Sequence, residues 1–72
     1  MNNKTTRIYS LGRNIFKVSR KCGYSQNKLA EILDISREHL AKIETAKRTL
    51  SLDLLIKIAE ALNVKVRDLI DF

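Results

Sequence analysis

The segment Ser25–Glu44 limits the fold of this chain more than any other, because it reads as two short amphipathic helices joined by one tight turn. Ser25 and Ser36 stand immediately before the two helical patterns. Each offers a hydroxyl oxygen to the unpaired N–H groups of a helix start, so the boundaries are marked independently of the apolar spacing. Leu29, Leu33, Ile35, Leu40 and Ile43 supply apolar contacts between the helices, and Ala30 is small where two backbones must come close. The polar remainder, Gln26, Asn27, Arg37, Glu38, His39 and Lys42, faces outward around the first turns of the pair.

The flanking segments are helical too. Ile8, Leu11, Ile15, Val18 and Cys22 recur at intervals of three and four, which predicts a first helix ending near Gly23. Arg13, Lys17, Arg20 and Lys21 lie off that stripe. Ser51 caps a further long pattern whose buried face is Leu52, Leu55, Ile58, Ala59 and Leu62, with Asn63 as its stop. A last short helix runs from Val66 to Ile70 through Val66, Leu69 and Ile70, although Lys65 is a poor cap for it. The expected fold is all-α, a compact five-helix bundle. Nothing marks a linker, since the chain has no proline, no repeat and only two glycines, Gly12 and Gly23. Residues 1–7 read as a flexible polar and basic arm and residues 8–72 as one domain.

Size and composition exclude whole classes of function. A chain of 72 residues buries only about 60% of the surface its unfolded form exposes, leaving no room for a large catalytic pocket. No apolar run approaches the roughly 18 residues of a membrane span, and residues 1–7 lack the apolar stretch of a signal peptide, so a cytoplasmic protein is expected. Cys22 is the single cysteine and His39 the single histidine, so no disulfide, zinc set, metal site or cofactor is implied. Cys22 itself continues the apolar stripe and is expected to be a buried, inert thiol. Paired carboxylates, a nucleophile with its base and a glycine loop are all missing, which argues against an enzyme and leaves no catalytic residue to name.

The net charge of +6 is unevenly spread. Residues 1–24 hold six basic groups and no acid, residues 25–48 five basic and four acidic, and residues 49–72 three basic and four acidic. A polyanion would therefore meet the first two thirds. A helix fits the major groove of double-stranded DNA and reads base edges from its first turn while the preceding helix bridges the phosphates. The second helix of the pair is the candidate reader. Arg37 and Lys42 can donate to guanine N7 and O6, Glu38 can accept from cytosine N4, and His39 can touch a base or a phosphate. Gln26, with Ser25 and Asn27 at the same helix start, can hold a phosphate, and Lys47 and Arg48 suit backbone phosphates from the following loop. The rival reading is that these charged groups merely solvate exposed faces, with Lys47 and Arg48 opposing a helix dipole.

These residues resemble a known family, the phage-repressor type of helix-turn-helix that includes the lambda and 434 repressor and Cro proteins and the Xre regulators. The resemblance is carried by Gly23-Tyr24-Ser25-Gln26 before Leu29-Ala30, then Ile35-Ser36-Arg37, Ile43-Glu44, Lys47-Arg48, Ser51-Leu52 and the run Ile58 to Val64. It implies a five-helix bundle, a sequence-specific repressor or activator, a two-fold homodimer and an operator with inverted half-sites. Under it Gln26 inherits a phosphate-clamping role, and Arg37, Glu38 and Lys42 fall at base-contact positions. The chain departs from the family pattern at four points. Asp34 stands where glycine is common in the hinge, Ala46 where glycine follows the reading helix, and Leu50 where proline precedes the fourth helix. Ser19 occupies the position of an arginine that pairs with the glutamate here numbered Glu44.

Exposed apolar groups near the C-terminus are the expected dimer contacts, with Leu50, Leu52, Val66, Ile70 and Phe72 as candidates. For Val66 and Leu69 completion of a thin core is an equal alternative. A second function class fits the same residues: an antitoxin or adaptor whose primary partner is a protein, such as a toxin, held on that apolar surface.

Overall fold

The computed structural model describes residues 4–48 and 50–70, with side chains from Arg7 onward. Five helices follow one another: α1 Lys4–Lys21, α2 Gln26–Leu33, α3 Arg37–Glu44, α4 Leu52–Leu62 and α5 Val66–Ile70. The order and the all-helical class agree with the sequence pattern. The start of α1 does not, because residues 4–7, read as part of an arm, form its first turn. The apolar repeat begins only at Ile8, so nothing in the pattern marks the polar turn before it. Residues 1–3 of that arm lie outside the described residues.

The three serine caps form as expected. Ser25, Ser36 and Ser51 have extended backbones, and their side chains accept from the N–H groups of Lys28, His39 and Leu54. Helix α5 starts differently. Lys65 has no capping side chain of its own, but its N–H donates to the Asp68 carboxylate at 2.9 Å, the reciprocal half of a capping box.

All four longer helices close in the same way. A residue at positive φ follows the last turn, namely Gly23 (85°), Asp34 (58°), Ala46 (63°) and Asn63 (57°). Around each, two backbone bonds satisfy orphan carbonyls, for example Gly23 N–H to Arg20 O and Tyr24 N–H to Ser19 O, both 3.0 Å. This is the Schellman arrangement. It turns the chain back sharply, which is how helices of 8 residues can pack so closely.

Ile15, Leu29, Leu40, Ile43, Ile58 and Leu69 are completely buried and join all five helices in one core. Helix α1 packs on α3 and α5, and α2 on α3 and α4. The crossing of α1 over α3 depends on Gly12, since a Cβ there would lie 2.6 Å from the Ile43 carbonyl oxygen and 2.7 Å from that of Glu44. Two long-range bonds tie the middle of α1 and the residue after its C-terminus to the C-terminal helices. Asn14 Nδ2 donates to the Leu69 carbonyl at 2.8 Å, and the Cys22 thiol donates to the Leu62 carbonyl at 3.6 Å.

Two side chains are not where the apolar stripes put them. Cys22 is exposed rather than buried. Leu52, expected on the buried face of α4, is 69% exposed. Both sit at helix ends, Cys22 just after α1 and Leu52 at the first position of α4.

Candidate nucleic-acid interface

Helices α2 and α3 form the hinged pair. Asp34 supplies the left-handed residue of the turn, and Ile35 N–H bonds to the Ala30 carbonyl at 3.0 Å. Ala30, Leu29 and Leu33 of α2 and Leu40 and Ile43 of α3 are buried. The short turn and the apolar contacts fix the outer face of α3. On that face Arg37, Glu38 and Lys42 are exposed, and His39 is half-buried. Among the described residues the salt bridge formed is Lys28 to Glu31 at 3.6 Å, so none of these three charged groups is committed to an ion pair.

Gln26, the first residue of α2, bridges both ends of α3. Its Nε2 donates to Glu44 Oε1 at 2.8 Å, while its Oε1 accepts from Arg37 Nη1 at 3.4 Å. The carboxylate accepts only and the guanidinium donates only, so the amide has one satisfactory orientation. Glu44, 6% exposed, is a buried acid whose hydrogen-bond partner is this amide. The arginine that the family resemblance would supply for it is absent. Ser19 is buried and its hydroxyl donates to the Tyr24 carbonyl at 3.4 Å. Arg20 does not reach Glu44 either, because it donates to the Tyr24 carbonyl at 2.9 Å and stacks 4.6 Å from the Phe16 ring centroid.

Around this network lie the groups expected to meet phosphate. Helix geometry leaves the N–H groups of Gln26 and Asn27 without intrahelical partners at the positive end of the α2 dipole. Ser25 uses its oxygen in the cap and keeps its hydroxyl hydrogen to donate. Lys47 and Arg48 are exposed in the segment after α3. Arg13 and Lys17 of α1, to which the apolar pattern assigns no role, both line a cleft of about 480 Å³ together with Gln26, Glu44 and Thr45. Their one visible signal was spacing, two bases four residues apart and off the apolar stripe.

The expected dimer contacts divide. Leu52 and Ile70 are exposed, the latter by 44%, whereas Leu50 and Val66 are half-buried against the core. Phe72 lies outside the described residues. Ile56 is 40% exposed and lies one turn after Leu52 on the same side of α4.

Among the described residues no group of three or more His, Cys, Asp or Glu could hold a metal ion, and no helix is long and apolar enough to cross a membrane. A capped helix pair joined by one tight turn, with charged groups exposed on its second helix, is a helix-turn-helix arrangement. Residues 17–69 match the helix-turn-helix family HTH_3, and the chain belongs to it, a family of DNA-binding transcription regulators of Xre and lambda-repressor type and not of enzymes. Over 52 residues the chain is 44% identical to the control protein C.BamHI of Bacillus amyloliquefaciens, a match covering 72% of this chain and 64% of that protein. It is 36% identical over 53 residues to an HTH-type transcriptional regulator of Rickettsia conorii, covering 74% of this chain and 42% of the relative. The chain thus spans less than two thirds of the length of these curated relatives. Among solved structures, the restriction-modification controller protein C.AhdI from Aeromonas hydrophila superposes with a TM-score of 0.84 at 26% identity, covering 89% of this chain and 97% of that one. SinR, a master regulator for biofilm formation solved in complex with DNA, gives a TM-score of 0.76 at 32% identity, covering 82% and 95%.

Proposed function

We propose that this chain is a sequence-specific transcriptional regulator of the repressor or controller type, binding an inverted-repeat operator in double-stranded DNA as a homodimer with α3 in the major groove. The observation that carries the reading is the Gln26 bridge. It holds Arg37 at the first turn of α3, while Glu38 and Lys42 form no ion pair among the described residues. A helix face that serves only hydration gains nothing from a side chain of another helix holding its first arginine in place.

In this arrangement Arg37 and Lys42 donate to guanine, Glu38 accepts from cytosine, and His39 touches a base edge at the margin. Gln26, Asn27 and Ser25 hold one phosphate at the α2 N-terminus, and Lys47 and Arg48 hold others beyond α3. Leu52 and Ile70, with the half-buried Leu50 and Val66, form the two-fold contact. The relatives named above as controllers and regulators support this role, and a cytoplasmic site of action is part of the proposal.

Selection from a random duplex pool at physiological salt tests the reading, with the mass of the protein measured in the same sample. An enriched inverted repeat with half-site centres about 10 bp apart is expected. Arg37→Ala then relaxes preference at one base position, while Lys47→Ala weakens binding to all sequences alike. Salt-sensitive binding with no enriched motif would refute the reading and favour the adaptor or antitoxin alternative.

A further inference from the structure

We propose that Arg13 and Lys17 of α1 form a second phosphate-binding strip beside Gln26, gripping the DNA backbone outside the bases that α3 faces. The inference rests on the DNA-reading function proposed above and adds to it an element outside the hinged pair. Helix α1 has 18 residues and carries six bases and no acid. Hydration is served by either sign of charge, so a helix of one sign is biased toward a polyanion. Arg13 and Lys17 are both exposed, and neither forms a salt bridge among the described residues. Four residues along a helix is about 6 Å of rise, a span that covers neighbouring phosphates of one strand.

Placement separates these two from the other bases of α1. They share one cleft with Gln26 and Thr45, so a backbone seated on the α2 N-terminus continues across them. Arg20, by contrast, is held by the Tyr24 carbonyl and the Phe16 ring. The Arg13 guanidinium lies 5.9 Å from the centroid of Tyr9, a ring that is 49% exposed. Stacking there restrains the arginine and leaves its N–H edge free, which gives an exposed aromatic ring a purpose outside the core. Glu44 also lines the cleft, but it is buried and bonded to Gln26, so a phosphate is met at the rim and not at the floor.

The test is the salt dependence of binding to the selected duplex for wild type, Arg13→Ala/Lys17→Ala and, as a control on the α2–α4 side, Lys57→Ala. Each phosphate contact contributes about 0.9 to the slope of log affinity against log salt, so the double variant should lose about 1.8. Between 50 and 200 mM salt the wild type should therefore weaken by about twelvefold more than the double variant. The preferred sequence, the melting temperature and the Lys57→Ala slope should be unchanged, and Arg13→Lys/Lys17→Arg should keep the wild-type slope. An unchanged slope in the alanine double variant would overturn the strip while leaving the DNA-reading function intact. So would loss of slope in the charge-conserving variant, or a shifted base preference in either. Failure of the wild type to bind any duplex would overturn the DNA-reading function, and the strip with it.

Discussion

Gly12→Ala sets two effects of opposite sign against each other. In the interior of α1 alanine is a better helix former than glycine by about 0.8–1.0 kcal/mol. Against that, its Cβ would lie 2.6 Å from the Ile43 carbonyl oxygen and 2.9 Å from the Glu44 carbonyl carbon, where ordinary contact begins at about 3.4 Å. The backbones of α1 and α3 must part by about 0.8 Å, the difference between those limits. The obstacle is main chain within a helix, which has no rotamer by which to step aside. Ile15 and Ile43 are completely buried in the core these helices share, and a gap of 0.5–1 Å forfeits a quarter to a half of each dispersion contact across it. Overpacking of this kind costs typically about 1–3 kcal/mol, and rigid backbone places this site at or above the upper end. After the propensity gain the net loss is about 2 kcal/mol, which lowers the melting temperature of a domain this size by about 8–16 °C. Thermal unfolding followed by circular dichroism measures it. A melting temperature equal to or above wild type would show that propensity outweighs the clash and that α1 and α3 do not approach as closely as described.

The remaining predictions concern single positions. Ala46 holds φ 63°, a conformation that costs a non-glycine residue about 1–2 kcal/mol, so Ala46→Gly should raise the melting temperature by several degrees, whereas Asp34→Gly should gain less because aspartate tolerates that region; equal gains would refute the difference. Gln26→Ala strips Glu44 of its hydrogen-bond partner and should lower unfolding free energy by about 1–3 kcal/mol in a denaturant titration, while Arg37→Ala at the exposed end of the same network should change it by less than about 0.5. Leu52→Glu/Ile56→Glu should leave the helical content unchanged, because both side chains are exposed in the single chain, and should shift the sedimenting species to monomer; an unchanged mass would remove this face from the dimer contact.

Local chemistry was the legible part of this chain. A serine before an apolar repeat gives a helix start without any tertiary information, and Ser25, Ser36 and Ser51 all act as caps. Asn63 and Gly23 mark helix ends for the equally local reason that they accept positive φ. Periodicity located Ile15, Leu29, Leu40, Ile58 and Leu69, whose burial follows from a repeat of three and four on one side of each helix. The errors lie where a pattern outlasts its cause. Leu52 and Cys22 continue their stripes but are exposed at helix ends, and a stripe does not encode where burial stops. Residues 4–7 fail in the opposite sense, being helical without an apolar group to announce it.

What the sequence did not contain is proximity. Glu44 reads as a residue in need of a partner, but its partner lies 18 positions away, and only the packing of α2 on α3 identifies Gln26. The same packing decides how the exposed face of α3 is to be interpreted. Arg37, Glu38 and Lys42 would look alike on a helix that is merely hydrated. The distinguishing fact is that the glutamine holding Arg37 is itself anchored by a buried carboxylate, so the first turn of α3 is restrained from the interior outward. Restraint lowers the entropy lost when a side chain is fixed on a base edge, and it is useful only for a side chain that must arrive in one place. With arginine absent at position 19, that anchoring falls to Gln26, which makes this residue the interior support of α3 and, in the proposed complex, a phosphate contact at the α2 N-terminus. Its replacement should therefore impair folding and binding together, in contrast to Lys47, where binding alone should change.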